Sequence, residues 1–161
     1  MATTNLSNYN FENVPSANAM KIAIVCAKWN NEITDGLLNG AMQTLSKYGC
    51  KEENILLSKV PGSFELALGA QFLLQKDSSI DAVICLGSVI QGETKHFDYV
   101  CQTTALGIKD VSLKFNKPVI FGVLTDNTQQ QAIDRSGGKL GNKGVEAAVT
   151  AIEMVHLKNT L

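Results

Sequence analysis

Residues 87–100, GSVIQGETKHFDYV, join a short apolar run to a long helical pattern and contain His96, one of two histidines in the chain. The turn Gly92-Glu93-Thr94 leads into the helix, and a helix start presents free backbone N–H groups and a positive dipole end to an anion. A phosphate group suits that position, with the imidazole one turn away. In the alternative, the glycines only turn the chain, Thr94 only caps the helix, and His96 is an ordinary, partly exposed side chain.

Arg135 is the only arginine among fourteen basic residues, and the others are lysines. Its guanidinium is the one rigid, permanently charged fork in this composition that can bind an anion through two hydrogen bonds. Arg135 is therefore a candidate anion ligand. The alternative is a solvated charge at the end of a helix.

Two further side chains are unusual for their positions. Trp29, the sole tryptophan, falls in a turn after an apolar run, where a large ring either stacks on a flat ligand or covers the edge of the core. Glu65 lies in a mostly apolar helical segment beside Gly62-Ser63, and its carboxylate can accept hydrogen bonds from the hydroxyls of a polyol. A ligand with a flat ring and a hydroxylated chain fits both positions.

Strand and helix patterns alternate four times along the chain. Short apolar runs without alternation are typical of strands buried on both faces of a parallel sheet. We therefore predict a three-layer α/β fold, with a four-stranded parallel sheet flanked by helices on both faces. The predicted strands are 21–27, 54–60, 82–86 and 118–125. The predicted helices are 33–48, 63–75, 94–115, 128–135 and a last one from 145. The helix 63–75 is apolar nearly all round, so we expect it to be buried, whereas four glycines between 137 and 144 predict a loose connection.

In open parallel sheets a ligand binds beyond the carboxyl ends of the strands, where the strand order reverses. The residues that follow each predicted strand should therefore meet at one edge. They are Trp29, Asn30, Gly62, Ser63, Phe64, Glu65, residues 88–96, Thr125, Asp126, Asp134 and Arg135. No GxGxxG or GxxxxGK[ST] motif occurs, which argues against a dinucleotide or a triphosphate. Because phosphate is a leaving group, elimination or condensation with His96 as proton carrier follows as a hypothesis.

Length and composition narrow the class of protein. With 161 residues, 45% of them hydrophobic, we expect a single domain at residues 20–161, preceded by a polar arm at 1–19. A net charge of -1 without a basic run argues against nucleic-acid binding and a membrane anchor, and no apolar run approaches membrane-spanning length. The arm does not resemble a signal peptide, so we expect a cytoplasmic protein. The four cysteines lack CxxC spacing, and we expect no disulfide, metal site or thiol nucleophile.

Four motifs in this order make the chain recognisable: VPGSFEL, GETKHFDYV, FGVLT and DRSGGKLGNKGVEAA. Together they resemble the 6,7-dimethyl-8-ribityllumazine synthase family, and the likeness covers residues 21–157. The resemblance implies a flavodoxin-like sheet and a cofactor-free condensation of 5-amino-6-(D-ribitylamino)uracil with 3,4-dihydroxy-2-butanone 4-phosphate, the penultimate step of riboflavin biosynthesis. Its products are the lumazine, phosphate and water.

The resemblance also implies roles for the positions that match the family's motifs. His96 takes the proton-transfer role, with Asp134 as an assistant, and Arg135 is the third catalytic residue. Trp29 takes the role of the stacking aromatic. The implied ribityl contacts are Asn30, Gly62, Ser63 and Glu65, the implied pyrimidine-side contacts are Val89, Ile90 and Lys143, and Ser88 is a further substrate contact. The implied phosphate ligands are Gly92, Glu93, Thr94 and Arg135.

The resemblance extends to assembly. Active sites in this family lie between the subunits of a pentamer, so the ring of Phe121 is expected to come from the adjacent subunit. The short linker 135–144 is similar to that of members in which twelve pentamers form an icosahedral 60-mer shell, and a pentamer alone is the alternative. The arm at 1–19 is expected to add a strand to a neighbouring subunit, and riboflavin synthase is a candidate partner enclosed in such a shell.

Three positions depart from the family pattern. Gln91 stands where relatives often have a basic residue, Ala67 replaces a frequent proline, and Asp134 is one methylene shorter than the usual glutamate. These changes bear on the electrostatics around a phosphate, on the entry into a helix, and on the reach of the acid towards His96.

Three other functions compete with this one. A non-catalytic flavodoxin-like binding or signalling module needs an acidic residue at a strand end for phosphorylation, and the first and third strands end at Ala27 and Gly87 instead. A shell-forming scaffold with a lapsed site is at odds with the intact His96, Arg135 and Glu65. The third is a sister enzyme of the same fold that converts the lumazine to riboflavin.

Overall fold

The structure, a computed structural model, describes residue 5 and residues 13–161. Its central strands are β1 (Ile22–Ala27), β2 (Ile55–Val60), β3 (Ala82–Ile90) and β4 (Val119–Asp126). They form one parallel sheet in the order β2-β1-β3-β4. The chain passes from β1 to β2 on one side and then returns to β3 on the other, so the strand order reverses between β1 and β3.

Helices cover both faces of the sheet, which confirms the predicted three-layer α/β, flavodoxin-like arrangement. They are α1 (Asn31–Lys47), α2 (Leu66–Lys76), α3 (His96–Phe115), α4 (Gln129–Arg135) and α5 (Lys143–Thr160). One apolar cluster joins α1 and α5 to the sheet, and a second joins α2 and α3 to its opposite face. A short 3-10 turn, Ser63–Glu65, precedes α2.

The central strand β1 shows why the strands lack alternation in sequence. All six of its residues are buried. Ile24 and Cys26 pack with α1 and α5, whereas Val25 packs with α2 and α3, so both faces require apolar side chains. Cys26 and Cys85 lie in buried strands, and burial raises the pKa of both thiols, that of Cys85 to about 12.

The strand β3 is longer than predicted. From sequence it was expected to end at residue 86, but its pairing with β4 continues to Ile90, which lies opposite Asp126. Gly87 lies within the strand and not in a turn. Its missing side chain allows the close approach of Ser63, because a Cβ at Gly87 would lie 2.5 Å from Ser63 Oγ. The expected loop residues Ser88 and Val89 therefore belong to the strand.

The helix α2 is less buried than predicted. Leu66, Ala70 and Leu74 are buried against the sheet, but Leu68 is 50% and Phe72 59% exposed. Within this chain only one stripe of the apolar helix is covered, and the rest is exposed. The other large apolar side chains exposed on α3 and in the turn before α2 are Phe64, Tyr99, Leu106 and Leu113.

The glycine-rich connection between α4 and α5 is an ordered hairpin and not a loose loop. Its strands, β5 (Ser136–Gly138) and β6 (Gly141–Asn142), pair in antiparallel fashion. Gly137 and Gly141 have φ values of 128° and 85°, which glycine adopts readily. The helix α5 then begins at Lys143, two residues earlier than expected.

The described end of the predicted arm packs on the core. Ala17 is fully buried, and its N–H donates to Tyr48 O at 2.8 Å. The rest of the arm apart from residue 5 lies outside the described residues, and so does the strand that it is expected to add to a neighbour. Within the described chain, every helix is too short or too polar to cross a membrane.

Candidate active site

The reversal of strand order places the ends of β1 and β3 side by side. Shortly after β1, Asn30 adopts a left-handed conformation with φ of 55°, and α1 starts at the next residue. Its side-chain amide donates to Ser88 O on β3 at 3.0 Å. Asparagine tolerates this conformation better than most residues. Asn30 therefore both turns the chain and ties the two strand ends together.

Trp29 lies over the turn that follows β2. The indole is 67% exposed, yet it covers Gly62 so closely that a Cβ there would lie 2.6 Å from ring atom Cζ3 and nearer still to Cε3. Gly62 N–H donates to Glu65 Oε2 at 3.0 Å, which fixes the carboxylate beside the ring. We call Trp29, Gly62 and Glu65 the stacking platform. An exposed flat ring next to a fixed acceptor can take a polar aromatic ligand with a hydroxylated chain.

The turn at Ser63 connects the stacking platform to the neighbouring elements. Thr104 Oγ1 on α3 donates to Ser63 O at 3.2 Å. Ser63 Oγ and Ser88 Oγ are both buried, and neither has a hydrogen-bond partner among the described residues. Since an unpaired buried hydroxyl is costly, both are candidates to bind hydroxyl or carbonyl groups of a ligand.

The loop between β3 and α3 is open to solvent. Gly92, Glu93, Thr94 and His96 are all exposed, and a Cβ at Gly92 would meet nothing within 4 Å. The helix begins at His96, two residues later than expected, and Thr94 Oγ1 accepts from His96 N–H at 3.4 Å. His96 thus stands in the first turn of a 20-residue helix, where the dipole favours an anion.

Arg135 and Lys143 share a carboxylate that was not predicted as a site residue, Glu146. Arg135 Nη1 lies 3.0 Å from Glu146 Oε1, and Lys143 Nζ lies 3.0 Å from Oε2. Burial disfavours the charge on Glu146, but hydrogen bonds from Lys143 and Arg135 outweigh it and lower the pKa of this carboxyl. We call these three residues the cationic cluster. Two cations share one anion, so the cluster carries a net positive charge.

A sequence signal for Glu146 existed. Lys143 and Glu146 are three residues apart on one helix, a spacing at which opposite charges pair. In the structure only 8% of the Glu146 side chain is exposed. Its neighbours along the helix are alanine and valine. Buried carboxylates of this kind usually serve a cation, so the pairing with Arg135 is consistent with a functional site.

Asp134 bonds within its own part of the chain. Gln130 Nε2 donates to Asp134 Oδ1 at 2.9 Å, and Lys139 Nζ lies 3.0 Å from Oδ2. These hydrogen bonds, that of Gln130 first, lower the pKa of Asp134. Among the described residues no hydrogen bond or ion pair joins it to His96. Within the described part of one chain, Asp134 therefore makes no hydrogen bond or ion pair through which it could assist His96.

Asp126 connects the cationic cluster to the edge of the sheet. It ends β4, and its backbone oxygen accepts from Gln91 N–H at 2.9 Å. Burial raises the pKa of its carboxyl, and the positive charge of Arg135 opposes that change. The field of Arg135 thus reaches the carboxyl end of β4, where the predicted ligand edge lies.

The predicted site residues form two groups in one chain. The first surrounds the ends of β1, β2 and β3 and the following loops: Trp29, Asn30, Gly62, Ser63, Glu65, Ser88, Val89, Ile90, Gly92, Glu93, Thr94 and His96. The second surrounds the hairpin: Asp134, Arg135 and Lys143. Among the described residues no hydrogen bond or ion pair joins the two groups. Phe121 belongs to neither, because it lies within β4 opposite Cys85.

A cavity of about 480 Å³ lies away from both groups, between α1 and the start of β2, and Met42, Cys50 and Ile55 are among the residues that line it. It is therefore at the amino end of β2, opposite the edge that holds the stacking platform. In the described part of the chain, no three histidine, cysteine or carboxylate side chains are grouped to hold a metal ion.

Both groups of residues lie within the part of the chain that is similar to known proteins. Residues 19–159 match the family model described as 6,7-dimethyl-8-ribityllumazine synthase. The chain is 55% identical over 154 residues to the 6,7-dimethyl-8-ribityllumazine synthase of Cytophaga hutchinsonii, which covers 96% of each chain. It is 52% identical over 163 residues to that of Phocaeicola vulgatus, covering 100% of this chain and 96% of the relative. It is 54% identical over 158 residues to the 6,7-dimethyl-8-ribityllumazine synthase of Parabacteroides distasonis, covering 97% of this chain and 98% of the relative.

Proposed function

The chain belongs to the 6,7-dimethyl-8-ribityllumazine synthase family, and we propose that its stacking platform and cationic cluster hold the two substrates of that enzyme. The reaction condenses 5-amino-6-(D-ribitylamino)uracil with 3,4-dihydroxy-2-butanone 4-phosphate to give 6,7-dimethyl-8-ribityllumazine, phosphate and water in riboflavin biosynthesis. The observation that carries the proposal is the pairing of Arg135 and Lys143 with one buried carboxylate, which leaves a net positive charge for a phosphate.

The stacking platform is suited to the ribitylaminouracil. The exposed ring of Trp29 offers a face for the pyrimidine, and stacking of a base on an aromatic side chain contributes about 1–3 kcal/mol. The carboxylate of Glu65, fixed by Gly62 N–H, accepts ribityl hydroxyls. The hydroxyl of Ser63 is buried beside them without a partner in the described chain. The half of the site that takes the ribitylaminouracil is completed by Asn30, Ser88, Val89 and Ile90.

The cationic cluster is suited to the butanone phosphate. A guanidinium has more donors than Arg135 uses for Leu140 O and Glu146, so it can still bind a phosphate through charge-assisted hydrogen bonds. Lys143 pairs with the same carboxylate, that of Glu146, and adds a positive charge on the side of the site that faces the pyrimidine of the ribitylaminouracil. The amides of residues 92–94 and the start of α3 supply further donors for an anion.

The chemistry requires several proton transfers, which we assign to His96. The free amine attacks the ketone and gives an imine with loss of water. Phosphate then leaves, the resulting enol tautomerises, and the second amine closes the ring with loss of another water. Imidazole can give and take a proton near neutral pH, and Asp134 of an adjacent subunit is its proposed assistant. Much of the acceleration comes from holding two substrates together.

We further propose that the two groups meet between neighbouring subunits of a pentamer, with Phe121 supplied by the neighbour. Support comes from the absence of any hydrogen bond between them in the described chain and from the exposed apolar surface of α2 and α3, which includes Phe72 and Leu113. β2 is an edge strand and can pair with the arm of another chain. A 60-mer shell and enclosed riboflavin synthase are extensions of this proposal that electron microscopy and co-purification would test.

Other predictions stay proposals as well. We propose that residues 20–161 form one domain after an arm at 1–19, which limited proteolysis would test. The cytoplasmic location is testable by cell fractionation. The family match favours the enzyme over a non-catalytic flavodoxin-like module or a shell-forming scaffold, and turnover by the purified protein separates these functions.

Steady-state kinetics of two variants tests the assignment of roles. We expect His96→Ala to lower kcat on the order of 100-fold, because it removes the proton carrier, with smaller changes in both KM values. Arg135→Ala should chiefly raise the KM for the butanone phosphate. Lys76→Ala, which removes an exposed charge at the end of α2, is the matched control and should behave as the unmodified enzyme. Equal and negligible effects of His96→Ala and Arg135→Ala would overturn the assignment.

A further inference from the structure

The hairpin β5–β6 connects the two cations of the cationic cluster. Arg135 directly precedes β5, and Lys143 directly follows β6. The hairpin has few side chains to pack, because three of its residues are Gly137, Gly138 and Gly141. Since a two-stranded hairpin is marginally stable alone, contacts with other elements must set its position, and with it the separation of the two cations.

Asn142 makes such contacts through one side-chain amide. Its Nδ2 donates to Gly36 O at 2.9 Å and to Ser136 O at 3.1 Å. Its Oδ1 accepts from Gly144 N–H at 2.8 Å, which caps α5. One amide therefore joins α1, the opposite strand of the hairpin and the first turn of α5.

Two glycines on α1 form a notch for this amide and the hairpin. A Cβ at Gly40 would lie 2.6 Å from Asn142 Cγ, and a Cβ at Gly36 would lie 2.6 Å from Ser136 O. Glycine inside a helix costs about 1 kcal/mol relative to alanine. Two glycines one turn apart in α1 are thus explained by the close approach of the hairpin, which any side chain at these positions would prevent.

The hairpin also holds the guanidinium directly. Arg135 Nη1 donates to Leu140 O, which lies between β5 and β6, at 2.9 Å. Leu140 N–H in turn donates to Asp134 O at 2.9 Å. A shift of the hairpin in its notch therefore moves an acceptor of Arg135 and the start of α5, where Lys143 lies.

We propose that Asn142 is a positioning residue for the condensation. By anchoring the hairpin in the notch formed by Gly36 and Gly40, its amide fixes Arg135 in the position from which it binds the phosphate of the butanone substrate. This inference rests on the proposed function of the cationic cluster. A displacement of about 1 Å in a positioned group is enough to lower a rate on the order of 100-fold, so loss of the anchor has a measurable consequence.

Two variants disturb the anchor from opposite sides. Asn142→Asp keeps the shape and the acceptor for Gly144 N–H, but it removes the donor to Gly36 O and Ser136 O and places a negative charge there. Gly40→Ala leaves the hairpin sequence unchanged, adds a methyl group against the amide, and favours the helix. For both variants we expect about a tenfold or larger rise in the KM for the butanone phosphate and in the Kd for inorganic phosphate, measured by isothermal titration calorimetry. The KM for the ribitylaminouracil should rise less than that for the butanone phosphate, because Lys143 is the one residue of the cationic cluster assigned to the pyrimidine side.

The controls separate this inference from the proposed function. Asn39→Asp adds the same charge on the exposed side of α1 and should leave both constants unchanged. Arg135→Ala serves as the benchmark: if it does not weaken phosphate binding, the function proposed for the cationic cluster is wrong. If it does, and Gly40→Ala and Asn142→Asp do not, the positioning role of Asn142 is wrong. Should Asn142→Asp fail to fold, Asn142→Ser replaces it, because serine keeps the cap of α5 and loses the two donations.

Discussion

The contact between Trp29 and Gly62 allows a specific test of the stacking platform. Gly62 has φ of -138° and ψ of -175°, an extended conformation that alanine adopts without strain. The main obstacle to Gly62→Ala is the indole, since the new Cβ would lie 2.6 Å from Cζ3, whereas Glu65 Oε2 at 3.3 Å would need to move only slightly. Ordinary contact between carbons begins near 3.4 Å, so the ring must retreat by about 1 Å. Because the ring is 67% exposed, it can do so with little loss of stability.

The size of the expected effect follows from the stacking energy. Stacking on an aromatic side chain contributes about 1–3 kcal/mol, and a displaced ring should lose about 1–2 kcal/mol of it. The Kd for 6,7-dimethyl-8-ribityllumazine should then rise roughly 5–30-fold, as measured by isothermal titration calorimetry. The emission of the sole tryptophan reports the movement of the ring independently, and the melting temperature should change little.

A double-mutant cycle identifies the cause of the effect. If Gly62→Ala acts through the indole, it should cost almost nothing further in a Trp29→Ala background, and the two changes will be strongly non-additive. Unaltered affinity of Gly62→Ala, or the same loss of affinity with and without Trp29, would refute the role assigned to the ring.

Three further outcomes are expected. Glu146→Gln should lower stability by about 3 kcal/mol, or roughly 6–12 °C in Tm, because it leaves the largely covered Arg135, with 11% of its side chain exposed, and the more exposed Lys143 without their anion. The pKa of Glu146 lies below its ordinary value of 4.5, so the stability that its charge contributes is complete above pH 4.5 and is lost as the pH falls through the lowered pKa. Thermal scans should therefore show the melting temperatures of the unmodified protein and the Glu146→Gln variant converging in acid. A difference that stays constant with pH would contradict the pairing. Burial raises the pKa of Cys85 to about 12, so in native protein titrated with a thiol reagent Cys85 should react only after unfolding, whereas the half-buried Cys101 reacts earlier; rapid loss of the Cys85 thiol would show that the core opens. Gly92→Ala should leave the Tm unchanged, because nothing lies within 4 Å of the new methyl group. It should raise the KM for the butanone phosphate, because the methyl group would stand beside the amide proposed to bind the phosphate, and an unchanged KM would contradict that role.

The elements that could be predicted from sequence are those whose signals are local. The apolar run of β1 reflects burial on both faces, which one chain supplies by itself. Gly49 follows α1 with φ of 89°, the left-handed conformation expected at that position. Thr128 caps α4 as its spacing predicts, with its Oγ1 accepting from Gln131 N–H at 3.2 Å. The fold class and the ends of β1 and β2 follow from such patterns.

The features that could not be predicted depend on distant partners. β3 runs on to Ile90 because β4 supplies a paired residue at each step, and no local signal marks that. Asn142 bonds to Gly36, 106 residues away in sequence, so its role becomes visible only when α1 and the hairpin are in contact. The helix α2 is apolar nearly all round, which predicts burial, yet the described chain covers only the stripe of Leu66, Ala70 and Leu74.

Mixed oligomers test the central claim, that each site combines the stacking platform and His96 of one subunit with the cationic cluster of the next. His96→Ala and Arg135→Ala chains with different affinity tags would be co-expressed, purified through both tags and assayed for lumazine formation. The assay uses a butanone phosphate concentration far below the raised KM of the Arg135→Ala enzyme, so that each variant alone is nearly inactive. In a ring with random mixing, about one site in four contains both intact halves, so we predict activity near a quarter of that of the unmodified enzyme. A mixed oligomer no more active than its components would contradict the shared site.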